Sequence, residues 1–536
     1  MSRIDLLLHG GRVIDGTGNL AASADVAVRD GRIVAVGRLD AIEASRAIDV
    51  AGHVVTPGFV DMHTHSDLQI LAEPSHEAKL CQGITTEVLG QDGLSYAPVT
   101  DETLAYLRTQ LRGWNGDPEG FAWNWRSVGE YLDRLDEGVA VNAAYLVPHS
   151  TVRLQVLGYE EREATFDELA EMERLVAIGM EEGAVGLSAG LTYVPGMYAP
   201  DSEMVALCRV VARYGGYYCP HHRDYGRHAL DAYRACVDIA RTAGVPLHLT
   251  HAHLGFPVNR GKAPQLLEMI DDALAEGIEV TLDTYPYLAG STYLHALLPR
   301  WVQGGGTDAA LARLRDPQLR ERIRTEIEDT GHDAYHGVPI DWSTVVVTGV
   351  QSDANRRFVG VSIEESAQAE GQRPIDFFCK LLADEALGAT CLHHVGDEGN
   401  VQAIMRHRAH TAGSDGILVG DRPHPRAWAT FPRYLAHYVR ELGVLTLEEA
   451  IRKFTSLPAQ RLGFRDRGLV RPGMAADLVV VDPERVTDVA TYDQPRRRPM
   501  GIPYVIVNGE VAVDAGQPTG AQAGRALRRL GHTGTS

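Results

Sequence analysis

Lysine is nearly absent from this chain. Of its 51 basic residues only Lys79, Lys262, Lys380 and Lys453 are lysine, so any chemistry that needs a lysine amine is confined to four positions. Cysteine is also sparse. Cys81, Cys208, Cys219, Cys236, Cys379 and Cys391 show no C-x-x-C spacing and read as free, mostly buried thiols of a cytoplasmic protein. No apolar stretch approaches the roughly 18 residues of a membrane span, and the run at Leu6-Leu7-Leu8 is too short for a signal peptide. No G-x-G-x-x-G loop opens the first strand-helix unit, which counts against a doubly wound nucleotide fold. Positive charge is in deficit: the net charge of −20 argues against nucleic acid or an anionic membrane as partner.

What is present is the balance of a globular enzyme, 44% hydrophobic and 23% charged. At 536 residues the chain exceeds one ordinary core. Residues 4–8, 12–14, 25–28 and 33–36 read as short strands, with Asp30-Gly31 as a tight hairpin turn. The far end mirrors them, with strands over 476–481 and 504–507 and an Asn508-Gly509 hairpin. Between these ends strands alternate with helical patterns such as 167–182, 201–214 and 264–276. This predicts an α/β protein, a (β/α)8 TIM-like barrel over 57–465. A small β-sandwich domain is expected from both termini, 1–56 and 466–516, followed by a loosely packed tail over 517–536. Residues 303–352 break the rhythm and read as an insertion over the barrel mouth.

The densest chemical signal is Pro57-Gly58-Phe59-Val60-Asp61-Met62-His63-Thr64-His65. Alternation along a strand turns His63 and His65 to one side, as two imidazole donors for a zinc-like ion. Other strand ends add Asp92, in Gly90-Gln91-Asp92-Gly93, and then His221, His222, His251, His253 and Asp415. In a barrel these ends meet at one mouth. His149 reads as structural.

The order His-x-His, His, His, Asp resembles the metal-dependent amidohydrolase superfamily. Among its members the chain is most similar to the N-acyl-D-amino-acid deacylases. Gly83-Ile84-Thr85-Thr86, Gly186-Leu187-Ser188-Ala189-Gly190, Tyr285-Pro286-Tyr287 and His424-Pro425-Arg426-Ala427-Trp428 carry the likeness through nearly the whole length. The resemblance implies one or two divalent ions, zinc first, with His63 and His65 at one position and His221 and His251 at the next. It implies Asp415 as general base and ligand. Tyr285, Ser291 and Arg426 would hold the carboxylate of a small N-acyl amino acid, with His253 beside them. The implied activity is hydrolysis of the acyl amide of N-acyl-D-amino acids. A homo-oligomer is compatible with it.

Two departures stand out. The family usually has cysteine, in Gly-Asn-Cys-Gly, where Asp92 stands here, so Asp92 is expected to replace a thiolate as ligand. It commonly has lysine where His253 stands. Cyclic amidases of this superfamily bridge their metals with a carboxylated lysine on the fourth strand. No lysine lies near residues 184–190, which counts against that alternative. A dipeptidase stays open, and a non-catalytic scaffold is disfavoured by the complete ligand set.

Overall fold

The computed structural model describes residues 3–39, 42–332 and 336–529. Eight parallel strands form its centre: Phe59–Asp61, Ile84–Leu89, Asn142–Pro148, Gly186–Gly190, Tyr217–His221, Leu247–Leu249, Val280–Thr284 and His410–Ala412. The first strand meets the last where Met62 N donates to Ala412 O at 3.2 Å and Thr64 bridges Gly416. The sheet thereby curls into the expected barrel. Both faces are buried, as parallel barrel strands require. On the third strand Ala143, Tyr145 and Val147 pack into the large outer core with the helices. Ala144 and Leu146, on the opposite face, join Val60, Met62, Val88 and Cys219 in a separate cluster.

The surrounding helices form where the periodicity placed them, with shifts of one residue or so. Phe166–Glu181 starts at Thr165, whose side chain caps Glu168 N while Glu168 returns the bond. Ala263–Ala275 carries Pro264 in its first turn.

Both termini build the β-sandwich. Ile4–His9, Asp25–Arg29, Arg32–Gly37 and Ala44–Asp49 form one sheet. The facing sheet combines N-terminal strands, including Val54–Pro57, with Leu478–Val481, Tyr504–Val507 and Glu510–Asp514. Leu6, Val26 and Ile33 share a core with Val55, Leu478 and Ile506. Asp30-Gly31 and Asn508-Gly509 have φ of 50°, 72°, 47° and 88°, the left-handed pairs that tight hairpins demand.

Three boundaries differ from expectation. The barrel begins at Phe59 rather than at 57, because Val54–Pro57 pairs with Leu478–Val481 and Phe59–Asp61 with Ile84–Leu89. The chain changes sheets at Gly58, where a Cβ would lie 2.0 Å from Thr85 Oγ1. The insertion is wider than 303–352. Antiparallel strands Ala289–Tyr293, Thr390–His394 and Val345–Gly349 form a sheet of their own, over a separate core that includes Leu294, Leu314, Trp342 and Phe378. Ala-Gly-Ser-Thr-Tyr has no apolar alternation, so its strand character comes from its partners. Residues 517–529 are also not loose. Ala143 N donates to Arg525 O at 3.0 Å and Leu527 N to Ala143 O at 2.8 Å, fastening this segment along the third barrel strand. Among the described residues no helix is long and apolar enough to cross a membrane.

Candidate metal centre at the barrel mouth

The first strand ends in Asp61, and His63 and His65 follow with their rings 5.3 Å apart. The second ends in the turn Gln91–Gly93, which carries Asp92. His221 ends the fifth strand, His251 follows the sixth, and Asp415 follows the eighth. All six side chains are buried or nearly so. Asp92, His251 and Asp415 have φ of 53°, 26° and 49°. Left-handed backbone is uncommon outside glycine, and its clustering on three candidate ligands marks a site held against local preference. Neighbours hold it there: His251 N donates to Asp283 Oδ1 at 3.0 Å, and Asp415 N to His63 O at 2.8 Å.

Asp92 stands between the two histidine pairs. Its Oδ1 is 3.5 Å from His63 Nε2 and 3.7 Å from His251 Nε2, and its Oδ2 is 3.6 Å from His65 Nε2 and 3.3 Å from His221 Nδ1. His221 Nδ1 and His251 Nε2 are 2.9 Å apart. Asp415 Oδ1 is 3.1 Å from His65 Nε2 and 3.7 Å from His63 Nε2.

These residues fit a divalent ion. His63 Nε2 and Asp92 Oδ1, which face the centre, are buried without a hydrogen-bond partner. The donor atoms of His63, His65 and Asp415, and those of His63, Asp92 and His251, lie within 4.8 Å of one another. Imidazole and carboxylate suit zinc and its neighbours. The electrostatics agree. Burial disfavours a charged His63, yet Asp92, Asp415 and Asp283 together raise its pKa to about 9, and the same field attracts a cation.

The nitrogens facing away from the centre are mostly held. His63 Nδ1 is 3.6 Å from Asp283 Oδ2, His221 Nε2 is 2.7 Å from Thr192 Oγ1, and His251 Nδ1 is 3.2 Å from the Tyr225 hydroxyl. Such partners orient ligand imidazoles. Sequence reasoning missed all three. Asp283 was within reach, since Val280–Thr284 places it at a strand end like the others.

A cavity of about 140 Å³ opens on Asp92, His221, His251 and Asp415. His253, Tyr285 and Ser291 line it, and so do Trp114, Tyr193 and Leu288. His253 stacks on Tyr285 at 4.1 Å, with Nε2 2.6 Å from Thr284 Oγ1. Arg426 is completely buried behind this wall. Its Nη1 is 2.9 Å from Asp415 Oδ2, its Nη2 donates to Ser291 O at 3.3 Å, and its guanidinium lies 4.5 Å over the Tyr285 ring. Burial opposes ionisation of Asp415, but Arg426 and then His63 hold its carboxyl well below the usual range. His222 stays outside the cluster, packed 3.9 Å from Tyr225 and 4.0 Å from Tyr233. His149 pairs with Glu203 at 2.8 Å, a structural contact.

A closed barrel with this histidine and aspartate mouth defines a metal-dependent hydrolase, and the chain belongs to the amidohydrolase family, whose family model matches residues 46–513. It is 36% identical to a D-aminoacylase of Alcaligenes xylosoxydans xylosoxydans over 526 residues, 98% of each chain. A solved N-acyl-D-glutamate deacylase from Bordetella bronchiseptica, complexed with zinc and a phosphonate mimic of the tetrahedral intermediate, superimposes with a TM-score of 0.83. It shares 33% identity over 98% of this chain and 100% of its own. A D-aminoacylase structure described for its binuclear metal centre matches at 0.83 and 36%, with the same coverage.

Proposed function

We propose that this enzyme hydrolyses the acyl amide bond of N-acyl-D-amino acids, releasing a carboxylic acid and the free D-amino acid. The observation that carries the reading is Asp92, set between His63/His65 and His221/His251, with Asp415 facing the same cavity. His63, His65, Asp92, His221, His251 and Asp415 would hold the metal, one ion or two. A bound divalent ion polarises the amide carbonyl and makes water a better nucleophile near neutral pH.

The protein supplies the rest. Asp415, ionised and on the cavity wall, takes the proton of the attacking water and returns it to the leaving amine nitrogen. Tyr285, Ser291 and His253 receive the substrate carboxylate. Arg426 supports them from behind and fixes Asp415 through their 2.9 Å ion pair. Trp114, Tyr193 and Leu288 give the cavity an apolar wall. Ser188 Oγ accepts from Gly93 N and donates to Gly90 O, so the fourth strand braces the Asp92 turn and offers no bridging amine. The D configuration follows the relatives, which are D-aminoacylases and an N-acyl-D-glutamate deacylase. A cytosolic setting accords with six free, buried cysteines.

The test is a screen of paired N-acetyl-D- and N-acetyl-L-amino acids, with dipeptides and cyclic imides, on metal-supplemented enzyme. Turnover confined to the D series is expected. Preference for dipeptides or cyclic imides would replace this reading.

A further inference from the structure

One of the four lysines, Lys79, is completely buried beside the metal centre, and the proposed chemistry makes no use of it. It lies on the short helix Glu77–Leu80. Its ammonium is 2.8 Å from Asp61 Oδ2 and 2.9 Å from Glu87 Oε1, and donates to Thr64 Oγ1 at 2.7 Å and Ser414 Oγ at 3.1 Å. The placement of these partners is what matters. Asp61 ends the first barrel strand and Glu87 lies in the second. Thr64 separates His63 from His65, and Ser414 precedes Asp415.

Asp61 completes the connection. Its Oδ1 accepts Ser414 N at 2.7 Å and His63 N at 3.3 Å, and its Oδ2 accepts Ser414 Oγ at 2.6 Å. Glu87 also takes Ser66 Oγ at 2.9 Å and lies 2.8 Å from His76. The cluster thus spans the seam between the first and eighth strands, where backbone contact is limited to a few bonds such as Met62 N to Ala412 O. Burial opposes the charges of Glu87 and Lys79, but Lys79 and then His76 hold Glu87 at about 2, and Asp61 and Glu87 raise Lys79. The ammonium between two carboxylates offsets part of that cost.

We propose that Lys79 is a positioning residue of the metal centre: its ammonium ties the His63-Thr64-His65 strand end to the Ser414-Asp415 turn and so sets the geometry in which His63, His65 and Asp415 hold a metal ion. The inference rests on reading those three as ligands.

The test is Co²⁺ reconstitution of the metal-stripped full chain, followed by binding titration and the visible d–d spectrum. Variants are Lys79→Met, Lys79→Arg and Ser414→Ala. His65→Asn checks the ligand reading, and Arg467→Met breaks another buried pair, with Asp477, away from the site. Loss of an outer partner costs about ten- to hundredfold in metal affinity. Lys79→Met is expected to weaken Co²⁺ by that factor and change the spectrum, with partial rescue in Lys79→Arg. Arg467→Met should melt earlier yet keep both Co²⁺ signatures. Wild-type affinity and spectrum in folded Lys79→Met would overturn the proposal. If Lys79→Met does not fold, unchanged Co²⁺ binding in Ser414→Ala, which leaves every charge in place, would overturn it equally. Unchanged binding in His65→Asn would instead remove the ligand reading itself.

Discussion

Asp92, proposed as a metal ligand, stands where one side chain would set the character of the site. A carboxylate there presents two hard oxygens, one toward His63 and His251 and the other toward His65 and His221. Asp415 is proposed as general base as well as ligand, and with metal in excess Asp415→Asn should lower kcat by about 10²–10⁴-fold, the usual worth of a general base, while metal affinity measured by titration falls as well. Arg426 carries a prediction that the sequence and the structure frame differently. As a carboxylate binder alone, its loss would raise KM. As the buried partner of Asp415 at 2.9 Å, its loss should lower kcat as well. For Arg426→Ala a fall of about ten- to hundredfold in kcat/KM is expected, matching one charge-assisted contact, and steady-state kinetics will show whether both constants move.

Turns and strand ends aim these side chains. Gly90 has φ of 77°, and a Cβ added there would lie 2.3 Å from Leu146 O, so the approach of the second strand to the third depends on it. Gly52 has nearly the same φ, 78°, with nothing within 4 Å. Gly52→Ala should therefore cost only the left-handed backbone, about 1 kcal/mol. Gly90→Ala should cost more than that and displace Asp92, so that thermal melting and metal content both fall. Equal effects of the two substitutions would remove the role given to the close approach. Much at this scale was legible in the sequence. The hairpins at Asp30-Gly31 and Asn508-Gly509 and the barrel strands were readable because turn chemistry and apolar runs are local signals. The sheet of the insertion was not, since Ala289–Tyr293 has a strand's conformation only beside Thr390–His394.

Over the whole molecule, the two chain ends brace the barrel from outside. Asp477 in the sandwich accepts from Asn142 Nδ2 on the third barrel strand at 3.2 Å, and Asn508 Nδ2 donates to Asn142 Oδ1 at 2.7 Å. The 517–529 segment adds its own backbone bonds to Ala143. Deleting residues 517–536 should lower the melting temperature seen by calorimetry while leaving metal content per folded chain unchanged; an unaltered melting curve would show that this docking contributes nothing.

Sequence alone determined that strands and helices alternate into a barrel flanked by β-rich ends, because residue periodicity and turn preference act over a few positions. It also identified His63, His65, Asp92, His221, His222, His251, His253 and Asp415 as candidates, because polar residues recur at the ends of apolar strands, and the family resemblance selected the ligands among them. Tertiary structure decided what sequence spacing does not carry. Closure of the barrel set Asp92 between residues up to 159 positions away in the chain, from His63 and His65 to His251. Closure also put Arg426 behind Asp415 and brought Lys79 against both sides of the seam. Distances of this kind depend on how strands from opposite ends of a barrel meet, and only the folded chain specifies that.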